Sequence, residues 1–442
     1  MKITNFSIVF ALLPAIACAE TDDCLSRKNV PDGVLDLTQV IEIGLCRNPQ
    51  TASAYYSLES ARFNKNAGYA DYLPSATGAV SVGNKYENKD WGEWSYGASI
   101  SASYLIFDFG RRLADLNQLS AVWRATGFDY DERVQNYIYG IIGSYYALLN
   151  ADADVESARS LRTVAQTALD TANKKFKAGV VARADVLKAE TTMASRDLDL
   201  ERAKNNREIA KGTLLSKLSF PADQEITIAD MSGDFGAPRE NRGIDELIEI
   251  AREHRPDLLR ASANKDAAWH RRNSAFLRNL PSISASGTLS WGDDNFSGVF
   301  SPSSQNVGGT ISIRASMPIF AGFANMYNVR SAQASYDSAT ENLRSASDNA
   351  ELDVFSAYQN YKTAQTVLSQ TKTLLASATE SEKVTAGMYK VGRATMLDWQ
   401  TAQSELVSAQ KQHNAAKYDL FTKRAALALA IGDIKSEIEK EE

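Results

Sequence analysis

The spacing of apolar positions changes twice along the chain, each time in the same order. Tyr96, Ala98, Ile100, Ala102, Tyr104 and Ile106 alternate with Ser95, Gly97, Ser99, Ser101 and Ser103, and Ala76, Gly78, Val80 and Val82 form a weaker partner run. In the second half, Ile283, Ala285, Leu289 and Trp291 alternate with Ser282, Ser284, Ser286, Thr288 and Ser290. Val307, Gly309, Ile311, Ile313, Ala315 and Met317 alternate with Gly308, Thr310, Ser312, Arg314 and Ser316. A period of two predicts strands, one pair in each half, with one apolar face and one small polar face. After each pair the period becomes three and four. Leu148, Ala151, Val155, Ala158, Ala165, Leu169, Ala172 and Phe176 form one such stripe. Leu343, Ala346, Ala350, Val354, Ala357, Tyr361, Ala364, Leu368, Leu375 and Ala378 form the other. These are coiled-coil stripes rich in alanine, which lets helices approach closely.

Proline is absent from Ser75 to Phe220 and from Ile319 to the C-terminus, so very long helices fit there. At 1.5 Å per residue such helices reach roughly 100 Å. Each stops at a glycine, Gly179 or Gly392, and a returning helix follows, about Arg183 to Leu218 and Thr395 to Ile431.

The two halves also match residue by residue. Val40-Ile41-Glu42-Ile43, Pro49 and Leu73-Pro74 correspond to Leu247-Ile248-Glu249-Ile250, Pro256 and Leu280-Pro281 at an offset of 207. Ile106-Phe107 and Phe176-Lys177-Ala178-Gly179 with Asp185 correspond to Ile319-Phe320 and Tyr389-Lys390-Val391-Gly392 with Asp398 at an offset of 213. A long-period match means a duplicated unit. The expected division is a signal peptide at 1–19, a first repeat at 20–219 and a connector at 220–243, then a second repeat at 244–432 and a charged tail at 433–442. The first repeat holds strands at about 75–107 and a helical hairpin at about 109–218; the second holds strands at about 281–320 and a hairpin at about 323–431.

The N-terminus reads as an export signal, with Lys2, an apolar run from Phe6 and the cleavage-like Ala17-Cys18-Ala19. Ala15-Ile16-Ala17-Cys18 is also an imperfect lipobox, in which case Cys18 is acylated rather than removed. Cys24 and Cys46 remain and suggest a disulfide in an exported protein.

No run of 18 apolar residues follows the signal, so a transmembrane helix is not expected. The strands are long enough to span a bilayer core at ~9–11 residues each. A soluble hairpin with one buried face is the bland alternative, but the sequence offers no sheet to cover it. Four strands cannot close a barrel, and the smallest bacterial ones have about eight. Two chains would give a barrel filled by side chains; three would give twelve strands and leave a passage.

Net charge is only −6, which calls for no nucleic acid. The three histidines, His254, His270 and His413, are scattered, and no metal-ligand spacing, P-loop or nucleophile motif is present. No cofactor and no enzymatic activity are expected. The informative charges flank the tip glycines: Arg183 and Asp185 after Gly179, and Arg393 and Asp398 after Gly392. Aspartate near a helix start is also ordinary dipole chemistry.

The duplicated strand-pair and hairpin unit, Asn48-Pro49, Leu73-Pro74, Ile106-Phe107 and the tip patterns Phe176-Lys177-Ala178-Gly179-Val180-Val181 and Tyr389-Lys390-Val391-Gly392 together resemble the TolC outer-membrane efflux family. The resemblance covers nearly all of the mature chain. It implies a mainly α fold with β: a homotrimer whose twelve-stranded barrel sits in outer-membrane lipid and continues as a periplasmic α-helical barrel. It implies a passive exit duct that works with a periplasmic adaptor (membrane fusion) protein and an inner-membrane ABC or RND transporter. Cys24 with Leu45-Cys46-Arg47-Asn48-Pro49 looks like the subgroup associated with type I secretion; small-molecule efflux is the alternative.

The family pinches its entrance with two aspartates. Asp398 matches the first, and Thr401 stands at the second. It ties its gate with an Asp bonded to a Tyr and an Arg. Asp185 and Tyr389 match the first two; Ala394 stands at the Arg position, with Arg393 or Arg183 as substitutes. The tip residues Gly179, Val180, Gly392 and Arg393 are expected to meet the adaptor. A periplasmic adaptor, the competing class, would show one hairpin flanked by β domains, and an outer-membrane enzyme would need a catalytic cluster.

Overall fold

The computed structural model describes residue 30 and residues 33–87, 90–229, 243–293 and 306–434. The signal segment, Cys18, Cys24, most of the connector and the charged tail lie outside the described residues.

A short strand β1 (Val34–Leu35) leads into α1 (Leu37–Arg47) and α2 (Pro49–Gly68). Asp36 caps α1 reciprocally with Gln39. Asn48 then opens α2: its Oδ1 accepts from the Gln50 and Thr51 amides at 2.7 and 3.1 Å, and Pro49 takes the first helical position, where no amide is needed. The second copy repeats this with α5 (Ile244–His254) and α6 (Pro256–Leu277). There Arg255 donates to the Ala430 carbonyl and to Asp353, each at 3.1 Å.

The strands are β2 (Ser75–Glu87), β3 (Asp90–Phe107), β5 (Ser282–Asp293) and β6 (Asn306–Ser316). The two expected pairs join through β3 and β5 into one antiparallel sheet of order β2-β3-β5-β6. Strand β6 stops at Ser316 instead of continuing towards 320. Pro318 has no amide to give the ladder, and the chain turns at Gly322 and Phe323 with φ of 59° and 65°. The first copy turns likewise at Phe109 and Gly110, with φ of 54° and 89°.

The duplication is most regular in the helices. α3 (Arg111–Lys177) and α7 (Ala324–Lys390) each contain 67 residues, and the returning α4 (Arg183–Lys217) and α8 (Met396–Ala430) each contain 35. Of the predicted stripes, Leu148, Ala151, Val155, Ala165 and Ala172 in α3 and Ala350, Val354, Tyr361, Ala364 and Ala378 in α7 are buried, and the other members apart from Phe176 are half-buried. Phe176, placed on the first stripe, is exposed instead. Among the described residues no helix is long and apolar enough to cross a membrane.

The chain divides into two compact units. One comprises 1–54, 131–256 and 348–442; the other comprises 55–130 and 257–347 and holds the sheet. Within the first unit a strand unforeseen in the connector, β4 (Thr227–Ile228), pairs in parallel with β1. Tyr145 Oη donates to the Ala229 carbonyl beside it at 2.7 Å. Arg47 lies 4.2 Å from the Phe220 ring centroid and donates to the Ser219 carbonyl, so the N-terminal helix is pinned to the end of the first repeat.

Candidate functional site

Two places carry the chemistry, the sheet in one unit and the hairpin tips in the other. In the sheet the register lines up residues of one kind. Val80, Ala98, Trp291 and Val307 form one row; Gly78, Ile100, Leu289 and Gly309 the next; Ala76, Ala102, Gly287 and Ile311 a third. Much of this face is open among the described residues: Val80, Ile311 and Ile313 are 83%, 91% and 73% exposed. A continuous apolar sheet face of this extent marks a membrane or a partner.

The rows of the opposite face are Thr77, Ser101, Thr288 and Thr310, then Ser75, Ser103, Ser286 and Ser312. Hydroxyls bond to one another across the strands at equivalent places in the two copies. Ser75 and Ser103 Oγ are 2.8 Å apart, and Ser286 and Ser312 Oγ are 2.9 Å apart. β2 and β6 each pair on one side only, which leaves two unsatisfied ladder edges.

At the tips each long helix closes with the same capping geometry. Gly179 N donates to the Phe176 carbonyl and Val180 N to the Lys175 carbonyl, both at 2.9 Å. Gly392 N donates to the Tyr389 carbonyl at 3.1 Å and Arg393 N to the Met388 carbonyl at 2.8 Å. The two glycines have φ of 75° and 79°, with open space where a side chain would stand. Glycine is required there by backbone conformation rather than by crowding.

Beneath the tips, Ala168 and Ala172 of α3, Val186 and Ala189 of α4, and Tyr389, Met396 and Trp399 of the second hairpin form one core cluster. Trp399 and Tyr389 are each 2% exposed, with ring centroids 5.2 Å apart. Trp399 Nε1 donates to Glu382 Oε1 at 2.8 Å. Lys175 crosses from the first hairpin to the second: its Nζ donates to the Tyr389 carbonyl and stands 4.2 Å from the Tyr389 ring centroid. Gln400 Nε2 makes a second crossing, donating to the Lys188 carbonyl at 2.9 Å and to Thr192 Oγ1 at 2.6 Å.

Asp398 is exposed and caps α8. Its Oδ2 accepts from Thr395 N at 2.8 Å and from Thr395 Oγ1 at 2.7 Å, which holds its carboxyl below the ordinary range. Thr401 donates its hydroxyl back to the Leu397 carbonyl at 3.0 Å. Tyr389 is buried, but its hydroxyl has no hydrogen-bond partner, so no bond from Asp185 closes on it within the chain. Burial first, and then the Asp185 charge, push the phenol above its ordinary value. Ala394 packs against the core cluster, and Arg183 sits 5.8 Å from the Phe176 ring centroid. Cys46 is disulfide-bonded; Cys24 lies outside the described residues.

Sequence reasoning missed Trp399, Lys175, Glu382 and Gln400. Trp399 follows Asp398 directly and was the available signal, because a tryptophan in a tip helix rich in small residues needs a pocket.

A family model described as outer membrane efflux protein matches residues 40–218 and 247–433, one segment for each repeat. Protein CyaE of Bordetella pertussis is 24% identical over 407 residues, covering 90% of this chain and 84% of its own length. Outer membrane protein TolC of Escherichia coli is 22% identical over 419 residues, covering 91% and 83%. Among solved structures, the outer membrane protein VceC of Vibrio cholerae superposes with a TM-score of 0.78 at 18% identity, covering 90% of this chain and 96% of its own. The fold is therefore that of these channels.

Proposed function

Because the chain belongs to the outer membrane efflux protein family, an outer-membrane family of export channels rather than enzymes, we propose that it is the passive exit duct of a tripartite export system, serving type I protein secretion. The observation that carries this reading is the sheet with one exposed apolar face, one hydroxyl face and two open edges. The apolar face meets outer-membrane lipid and the hydroxyl face lines the water-filled passage. Joining β2 of one copy to β6 of the next satisfies the edges. Three copies give twelve strands and a passage wide enough for cargo.

The helical tips then form the periplasmic entrance and receive the adaptor through Gly179, Val180, Gly392 and Arg393. An inner-membrane ABC transporter supplies the energy, since the duct offers none. The secretion assignment is supported by the Cys46-Arg47-Asn48-Pro49 segment, with its bonded Cys46 and its Asn48 helix cap. The same duct serves small-molecule efflux when paired with an RND or ABC pump.

The test is the purified full chain in mild detergent and in planar bilayers. A trimer that conducts ions supports the reading. A monodisperse monomer that keeps its β signal refutes it. Deleting the gene separates the cargo classes: loss of a polypeptide from the medium supports secretion, and drug sensitivity alone overturns it in favour of efflux.

A further inference from the structure

The hydroxyl face of the sheet carries a charge among its small polar residues. Its paired rows read Ala79, Ser99, Ser290 and Gly308; then Thr77, Ser101, Thr288 and Thr310; then Ser75, Ser103, Ser286 and Ser312. The next row is Leu105, Ser284 and Arg314, and the last is Ser282 with Ser316. In these five rows Arg314 is the one ionised side chain. It is exposed, and its directly paired neighbour, Ser284, is small and neutral. Arginine on the solvated face of a strand is usually a solubility device. Here the other members of the face are hydroxyls, glycine, alanine and one leucine, so no partner of opposite sign offsets it within these rows.

We propose that Arg314 sets the charge preference of the membrane part of the duct, favouring anions and cargo of net negative charge. The inference rests on the duct reading, which turns the hydroxyl face inward and repeats Arg314 three times around one level of the lumen. Within these five rows the fixed charge is then positive, while the tips carry Asp398. Salt decides how far it reaches. At about 10 mM the Debye length of about 30 Å spans a twelve-stranded lumen, whereas at 1 M it is about 3 Å and the field stays at the wall. The preference must therefore be strong in dilute salt and vanish in concentrated salt, a dependence that a merely structural arginine would not produce.

The experiment measures reversal potential under a KCl gradient across a planar bilayer, with trimers carrying Asp398→Asn so that the entrance carboxylates do not mask the exit. Arg314→Ser is expected to shift the chloride-to-potassium permeability ratio about threefold or more towards potassium in dilute salt, as expected for removing a field of roughly 0.7 kcal/mol per ion. Arg314→Glu should shift it further, and Arg314→Lys should leave it in place. At 1 M all four channels should agree. If Arg314→Ser and Arg314→Glu keep the parent's reversal potential in dilute salt while conducting normally, the inference is overturned and the duct reading stands. If the parent trimer does not conduct at all, both fall.

Discussion

On the proposal that the tips form the entrance, Trp399 at the centre of the tip cluster is expected to hold them closed. Trp399→Ala removes an indole that is 2% exposed and in contact with the Tyr389 ring, in a cluster drawn from α3, α4 and the second hairpin. Truncating a fully buried aromatic costs about 3–5 kcal/mol. Losing the Nε1 bond to Glu382 accounts for about 1 kcal/mol of this. Trp399→Phe, which gives up that bond but keeps most of the contact, should cost about 1–2 kcal/mol.

The loss is local. The cluster around Trp399 draws on Ala168 and Ala172 of the long helices and includes none of Leu148, Val155, Ala350 or Val354, so global melting should move little while the tips open. At 1.4 kcal/mol per factor of ten, 3 kcal/mol raises the opened fraction by roughly two orders of magnitude. Hydrogen exchange followed by mass spectrometry reads this directly, with faster exchange expected in 168–189 and 386–402 than in 138–155. Bilayer conductance should rise in the order wild type, Trp399→Phe, Trp399→Ala. If Trp399→Ala accelerates exchange uniformly along the helices, or leaves tip exchange unchanged, the tip cluster is not the closing element.

Tyr389→Phe tests the buried hydroxyl that finds no partner within the chain; if assembly closes the proposed tie to Asp185, conductance rises, and it rises further with Asp185→Ala added, whereas wild-type currents from both would show that no tie exists. Asp398 titrates below its ordinary value of 3.8 because Thr395 bonds it. The stabilisation of α8 it provides is therefore complete above that value and lost as pH falls through the depressed folded value; helix-start protection, taken relative to the intrinsic exchange rate at each pH, should be lower at pH 3 than at pH 6 in wild type and equal at the two in Asp398→Asn. If Cys46 is paired with Cys24, peptide mapping of exported protein should recover the two in one cross-linked fragment. Reduction should then release about 3 kcal/mol of loop constraint at the N-terminus without lowering helical content, and recovery of Cys24 as a free thiol would refute the pairing.

How much of this was legible depends on the range of the interaction that fixes each feature. Periodicity is local, so the alanine stripes of α3 and α7 and the alternation in β3 and β6 could be read directly. Glycine with positive φ is fixed by its own backbone, which is why Gly179 and Gly392 announced the tips. The end of β6 was misread because alternation continues through Met317 while Pro318 ends the ladder, and a missing donor outweighs a favourable side-chain pattern. The joining of β3 to β5 left no local trace, because pairing across the two repeats is settled by where the hairpins fold back.

The tips show the sharpest limit. Asp185, Asp398 and Tyr389 could be found by matching one repeat to the other and to a family pattern, but such matching reports only roles that recur at fixed offsets. Lys175 has no such counterpart, yet it contacts Tyr389 twice, through the backbone carbonyl and over the ring. Such a contact forms only when two hairpins about 214 residues apart in sequence come together. It also has a consequence for the gate. A cation–π contact combined with a hydrogen bond is worth about 1–3 kcal/mol when shielded from water. The chain holds Ala394 at one side of the tip and Lys175 at the other. If the tips form the proposed entrance, Lys175 supplies a cation against the second hairpin from a position other than 394, and Lys175→Met should raise bilayer conductance; wild-type currents from that variant would show that the contact does not hold the tips closed.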